Sequence, residues 1–423
     1  MLKIILSISL LYVCAYPIDA TLKVLKRNFY VPKIYIEDYS SDLVAKYIRV
    51  KIAKLIVGDF TVSGHMKAVE NKLTTFFDKH PDYTMAKKNK IDLVLKYKVV
   101  LRKDDSLKIQ INIFDVNDKD IAYSKTYITS NKSRYPFLVH NLTIDLNNHL
   151  NAPSIEWMQK FVIFSKYKNA KTSNIMIADY TLSYQKTIIQ GGLNIFPKWS
   201  SSKQQSFYYT KAIKKPTLYK VDIYTGKQKK ILSSEGMIIA SDVSKDEENI
   251  LITMAPDDQA DIYMYNIESK RLTQITKYKG IDVSGNFIDN DEKVVFVSDR
   301  LGTPNIFMKR LDKRAKTEIL INHGKNNNSV TTFGNYIVYV SRERKEDFRR
   351  TRFNLYLIST KTDYIRALTS NGVNQFPKFS SDGESIIFIK HYKNQSSIGI
   401  IRLNYNESYL FPLKKGKIQS IDW

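Results

Sequence analysis

The chain has 423 residues with 43% hydrophobic and 26% charged side chains, which excludes a disordered polypeptide and supplies apolar residues for more than one core. Its formal charge is +24, but the Lys and Arg excess runs evenly along the chain, which argues against a nucleic-acid binder. The single cysteine, Cys14, falls in the first apolar run, so no disulfide framework is available to the remainder.

Residues 1–20 read as a secretory signal peptide. Met1-Leu-Lys3 is a short positive start, Ile4 to Val13 is apolar, and Ile18-Asp-Ala20 is a cleavage site, with a cut after Ala15 as the alternative. The apolar run is too short to span a bilayer, and no later segment is long enough, so the mature chain is expected to be soluble.

Residues 21–150 carry no repeat and predict an α/β domain. Lys33 to Glu37 is a strand. Ser40-Ser-Asp42 would cap a helix to about Ile56, with Leu43, Tyr47, Ile48, Ile52 and Leu55 on one face. Gly58 to Gly64 reads as a loop, and a second helix is expected over Val69, Leu73, Phe76 and Phe77, stopped by Pro81. Strands over Ile91–Leu101, Leu107–Val116 and Ile121–Ile128 form a meander, and a last helix runs from about Pro136 to Leu150. Asn151-Ala-Pro153 marks the linker.

Residues 151–423 repeat. Copies open at Gly192, Gly236, Gly280, Gly324 and Gly372, with a short one at Gly416, a period of about 44 residues that is the signature of a β-propeller. The fullest copy is Gly372-Val-Asn-Gln-Phe-Pro-Lys-Phe-Ser-Ser-Asp-Gly383 followed by three apolar runs, so each copy is four short strands with Asp, Asn or Gly at the hairpins. A β-sandwich of similar strands would not keep a fixed period. The copy before Gly192 lacks its first strand, and Gly416 to Trp423 aligns with Gly372 to Phe379. Together these predict six blades, with the C-terminal strand completing the first. The basic stretch Arg342–Arg352 falls where the fourth glycine-led copy is longest and reads as a solvated strand connection.

Catalytic motifs are missing: the chain has no Gly-x-Ser-x-Gly elbow, no His-Glu-x-x-His and no phosphate or dinucleotide loop. The propeller half holds two histidines, His323 and His391, a thin supply for a propeller hydrolase, and no hydrolase domain follows as a propeller peptidase would need. Those exported enzymes are the rival class. Asp257-Asp-Gln-Ala-Asp261 reads as a solvated loop before a cation site, and no cofactor or metal is expected.

The blades carry Pro197-Lys-Trp-Ser200, Phe376-Pro-Lys-Phe-Ser-Ser-Asp-Gly383, Asp261-Ile-Tyr-Met-Tyr-Asn266, Arg271-Leu-Thr273 and Ala367-Leu-Thr369. The first domain carries Val57-Gly-Asp-Phe-Thr-Val-Ser-Gly64 and a helix with His140 to Asp145. Over its full length the chain resembles the TolB family, the periplasmic component of the Tol-Pal system of Gram-negative bacteria. The resemblance implies a small α/β domain followed by a six-bladed propeller, and no enzymatic activity. It implies a periplasmic protein, monomeric by itself and peripheral to membranes through its partners, that supports outer-membrane integrity and cell division. The implied partners are a Pal-like lipoprotein on the propeller and a TolA-like inner-membrane protein on the mature N-terminus. By alignment of the copies, the Pal-binding face would comprise Asn194, Phe196, Met237, Ile239, Ala240, Val283, Ser284, Asn327, Asn374 and Phe376, all at exposed leading loops. The TolA segment would be Thr21, Leu22, Lys23 and Val24, part of a mobile stretch reaching about Lys26.

Overall fold

The computed structural model describes residues 30–69, 76–312, 314–321, 323–343 and 352–423. The expected leader, the segment Thr21–Lys26 and residues 344–351 of the basic stretch lie outside them.

The first domain is one five-stranded sheet covered by helices. Strand β1 (Lys33–Asp38) lies between β2 (Lys67–Val69) and β3 (Leu93–Leu101), parallel to both. β3, β4 (Leu107–Asp115) and β5 (Asp120–Thr129) form the antiparallel meander expected from the sequence. Along β4, buried Ile109, Ile111 and Ile113 alternate with half-buried Lys108, Gln110 and Asn112, the period of a sheet with one face in the core. Helices α1 (Lys46–Ser63) and α3 (Tyr135–His149) close that core with Ile48, Ile52, Leu55, Phe60, Leu138, Leu142 and Leu146.

Three expectations in this domain are corrected. Helix α1 is not capped by Ser40-Ser-Asp42; Ala45 occupies the cap position and supplies no side-chain bond. Leu43 and Tyr47 are 94% and 60% exposed, because the buried face continues through Ile56, Asp59, Phe60 and Ser63. Gly58 to Gly64 is consequently the last part of α1 and its stop, not a loop. Gly64, with φ +72°, supplies the left-handed C-cap, while Gly58 lies inside the helix between buried Ile56 and buried Asp59, Phe60 and Val62. The second expected helix is absent over Lys67–Val69, which instead extends the edge of β1, and residues 70–75 lie outside the described residues. A short helix α2 (Tyr83–Lys88) follows Pro81, with Asp82 accepting from the Met85 N–H as its cap.

Among the described residues of the remainder, the antiparallel pairings group the strands in fours as propeller blades, with single parallel pairs, Ser173 with Leu193 and Phe353 with Val373, joining neighbouring groups. The inner strands of blades two to six are Leu193–Trp199, Ile238–Val243, Asp282–Ile288, Lys325–Phe333 and Val373–Phe379. Blade one has Val162–Asn169, Thr172–Ala178 and Gln185–Ile189, and its inner strand is Ile418–Asp422 from the chain's far end. Ile418 and Ile421 are buried in the same apolar cluster as Trp157 and Phe164, so the closing strand belongs to the core. Trp423 packs edge-on to Trp157, with ring centroids 5.2 Å apart.

Candidate partner-docking site

The six inner strands each carry a register shift a few residues after the leading glycine: at Ile195–Lys198, Ala240–Asp242, Val283–Asn286, Lys325–Thr331, Gln375–Lys378 and Ile418–Ser420. A bulge adds one residue, bends the strand and re-aims its side chains. In four blades the bulge holds a non-glycine residue at positive φ: Phe196 (+52°), Ser284 (+58°), Ser329 (+50°) and Phe376 (+51°). Such a conformation costs a bulky L-residue about 1–3 kcal/mol and persists where the surroundings enforce it.

The bulges surround one mouth of the central channel. They enclose a chamber of about 320 Å³ whose wall includes Phe196, Met237, Ile239, Ala240, Val283, Ser284 and Phe376, seven of the ten positions expected on the docking face. Phe196 and Phe376 approach each other across blade one, with centroids 6.3 Å apart. Met237 of the wall is partly exposed, and Ile281 and Leu301 leave apolar surface open in loops of blade four at the same end. Ala240 was expected at the surface but is 4% exposed and packs in the core of blade three, because the bulge turns it inward.

Asn194, Asn327 and Asn374 are also corrected: all three are buried beneath the loops. The Asn374 amide donates to the carbonyls of Phe353 and Asn371, and the Asn194 amide to those of Ser173 and Gly191. Asn327 donates to the His323 carbonyl and the Asn305 side chain. Each ties a leading loop to the preceding blade, satisfying backbone carbonyls that leave the ladder there.

Below the chamber the channel narrows to charged side chains that the sequence reading missed. The sixth residue after the leading glycine is Lys198, Asp242, Asn286, Lys378 and Asp422 in five copies, and aligning the copies on that column would have found them. Lys198 Nζ lies 3.2 Å from Asp242 and 3.3 Å from Asp422. Burial works against its charge, but Asp422 and Asp242 outweigh it and hold its pKa above the ordinary lysine value. The aspartates also stitch blades together: Asp422 accepts from the Trp199 N–H and Asp242 from the Phe287 N–H. A second chamber of about 320 Å³ opens on the far side, lined by Trp157, Trp199, Phe379 and Trp423.

Asp261 of the expected solvated loop is buried and accepts from Gln274 and Thr276. No cluster of metal-ligating groups occurs among the described residues.

Against known proteins, the family model described as the TolB beta propeller domain matches residues 158–423. The Tol-Pal system protein TolB of Wolinella succinogenes is 47% identical over 409 residues, covering 96% of this chain and 97% of that one. The chain belongs to the TolB family. The TolB of Helicobacter hepaticus is 45% identical, with 99% of both chains covered. The crystal structure of TolB from Acinetobacter baumannii shares the fold, with a TM-score of 0.75 at 18% identity over 93% of this chain and 96% of that one.

The two TolB-like segments of the first domain meet at the interface with the propeller. Asp59, on α1, accepts from the Tyr180 hydroxyl at 2.5 Å and pairs with His140 of α3 at 2.7 Å. The other nitrogen of His140 lies 3.4 Å from Asp179. All four side chains are buried. Burial opposes a charge on His140, but the carboxylates of Asp59 and Asp179 prevail and raise its pKa to about 9. His65 sits in the same interface between Asn147 and Tyr405, each 2.5 Å away. Burial, assisted by the nearby Arg402 charge, lowers its pKa to about 4. Arg402 covers the rings of Trp157 and Tyr405 and donates weakly to the Val62 carbonyl. Val62 and Ile144 of the first domain share an apolar cluster with the propeller's Trp157 and Tyr180, so the junction is built like a core.

Proposed function

We propose that this chain is a non-enzymatic periplasmic component of the Tol-Pal system, exported by the leader at residues 1–20. It docks a Pal-like lipoprotein on the mouth chamber and its rim, through Phe196, Met237, Ile239, Val283, Ser284 and Phe376. It engages a TolA-like inner-membrane protein through Thr21 to Val24. Both contacts serve outer-membrane integrity and cell division. The observation that carries the reading is the mouth itself. An apolar chamber is held open by strained bulges and rimmed by Met237, Ile281 and Leu301, surface that blade closure does not require. Full-length similarity to proteins named as Tol-Pal components supports the choice of partner system.

The test is calorimetric titration of the soluble domain of the Pal-like lipoprotein from the same organism. Val283→Glu and Met237→Glu place an unpaired charge against the partner and should weaken binding about 100-fold with the melting midpoint preserved. Deleting residues 21–26 should abolish binding of the TolA-like protein and leave the lipoprotein's affinity intact. Full affinity in both glutamate variants, or its loss only together with the fold, removes the mouth as the docking site.

A further inference from the structure

The waist of the channel is electrically lopsided. Asp242 and Asp422 line the far chamber, and their oxygens are engaged by Lys198 and by the backbone N–H groups of neighbouring blades. Lys198 lines both chambers. Lys378 lines the mouth chamber and not the far one, and makes no hydrogen bond or ion pair among the described residues. It occupies the bulge of blade six, directly after Pro377, where the bend aims it into the channel. Burial, and then the like charge of Lys198, lower its pKa, while the charges of Asp422 and Asp242 pull the other way without prevailing. An ammonium held in such surroundings gains most from an anion brought to it.

A second observation lies on the rim. The side chains of Lys166, Lys211 and Lys390 lie across Gly416, Gly192 and Gly372, the leading glycines of blades one, two and six. A side chain at Gly372 or Gly416 would meet the lysine methylenes at 3.1 or 3.0 Å. These three blades form the sector that also carries Lys198 and Lys378. Exposed apolar side chains stand at this end on both sides, Met237, Ile281 and Leu301 on blades three and four and Tyr167, Ile213 and Tyr392 on blades one, two and six. Lysine side chains thus cluster at the leading glycines of blades one, two and six, and the Lys378 ammonium stands at the chamber floor.

We propose that the mouth chamber recognises an apolar tip that carries a carboxylate, and that Lys378 is the group that receives the carboxylate. The tip enters between Phe196, Phe376, Ile239 and Val283, and its acidic group completes the waist by pairing with Lys378. The docking reading above supplies the protein that would deliver such a tip, a partner whose contacting surface is acidic. The chamber's preference for an acid stands on the channel geometry alone.

The probe is 3-phenylpropionate, compared with the isosteric neutral 3-phenylpropionamide. Both are titrated into the intact chain by calorimetry and by NMR of reductively 13C-methylated lysines. The acid should bind at least about tenfold tighter than the amide and shift the Lys378 methyl signal. Lys378→Met should erase the difference between acid and amide, and Lys378→Arg should keep it, which separates lost charge from a disturbed fold. Equal binding of acid and amide, no binding of either at 10 mM (about 3 kcal/mol or less), or a retained acid preference in Lys378→Met overturns the proposal. The lipoprotein is titrated separately. If the acid preference holds while the lipoprotein fails to bind, the assignment of Lys378 stands and the docking reading falls. If the lipoprotein binds at the mouth and Lys378→Met leaves both its affinity and the acid preference unchanged, the docking reading stands and this inference falls.

Discussion

Replacing His140 with glutamine should change how stability depends on pH, not only its level. In the fold His140 touches Asp59 and Asp179, and its pKa rises to about 9, against about 6.5 in an unfolded chain. A folded pKa above the unfolded one contributes stability that is complete below about pH 6.5 and is lost as pH rises through about 9. At about 1.4 kcal/mol per pH unit, the window holds at most about 3 kcal/mol. At pH 6, His140→Gln removes the cation from two buried carboxylates and should cost about 3–5 kcal/mol. Near pH 9.5 the wild type has lost the same charge, so the gap between the proteins should narrow by about 3 kcal/mol. Urea unfolding from pH 6 to 9.5, followed by tryptophan fluorescence, reads this directly, since Trp157 packs on Tyr180 at the interface. Titrating groups that do not contact His140 are common to both proteins and cancel in the difference. A constant gap across the range would mean that His140 is neutral in the fold and that the interface is not held by its charge.

His65 acts with the opposite sign. Its folded pKa of about 4 lies below the unfolded value, so its contribution is present above about pH 6.5 and is lost as pH falls through 4. His65→Gln should therefore flatten the acid limb of the stability curve, and an unchanged acid limb would refute this. Deleting residues 416–423 removes buried Ile418 and Ile421 and leaves blade one a strand short, at about 2–5 kcal/mol for each lost isoleucine side chain. The truncated protein should melt lower and aggregate, and an unchanged midpoint without aggregation would count decisively against closure. Asn374→Ala strands the carbonyls of Phe353 and Asn371 and should cost about 1–3 kcal/mol in chemical denaturation, whereas a merely exposed loop residue would cost nothing measurable.

The propeller was legible because its signals are local and repeat: glycine-led loops, apolar runs and hairpin turns at a fixed spacing. Even the closing strand could be read, since Gly416 to Trp423 aligns with a complete copy and an earlier copy lacks that strand. What escaped depends on burial and on partners distant in sequence. Asn194, Asn327 and Asn374 read as loop-surface amides because they are polar and follow a glycine, yet each is buried and donates to backbone carbonyls beside its loop. The run from Gly58 to Gly64 reads as a loop because two glycines bracket it, while tertiary packing of Asp59, Phe60 and Val62 carries α1 through. Asp59 and His140 lie in separate helices, and only the fold brings them to 2.7 Å. Lys198 and Lys378 occupy the variable place inside a recognisable Pro-Lys motif, so the motif drew attention to the residues around them.

The strand that completes blade one, Ile418–Asp422, follows every other described blade strand in chain order. Until it arrives, Ser420 and Ile421 are missing from the wall of the mouth chamber and Asp422 from the waist that holds Lys198. A chain cut short before residue 418 has neither an intact funnel nor its electrostatic floor, and it exposes an unpaired edge along Val162–Asn169. An intact mouth chamber is thereby tied to the closing strand being in place. The residues that close the ring and the residues that complete the chamber wall are therefore in part the same, Ser420 and Ile421.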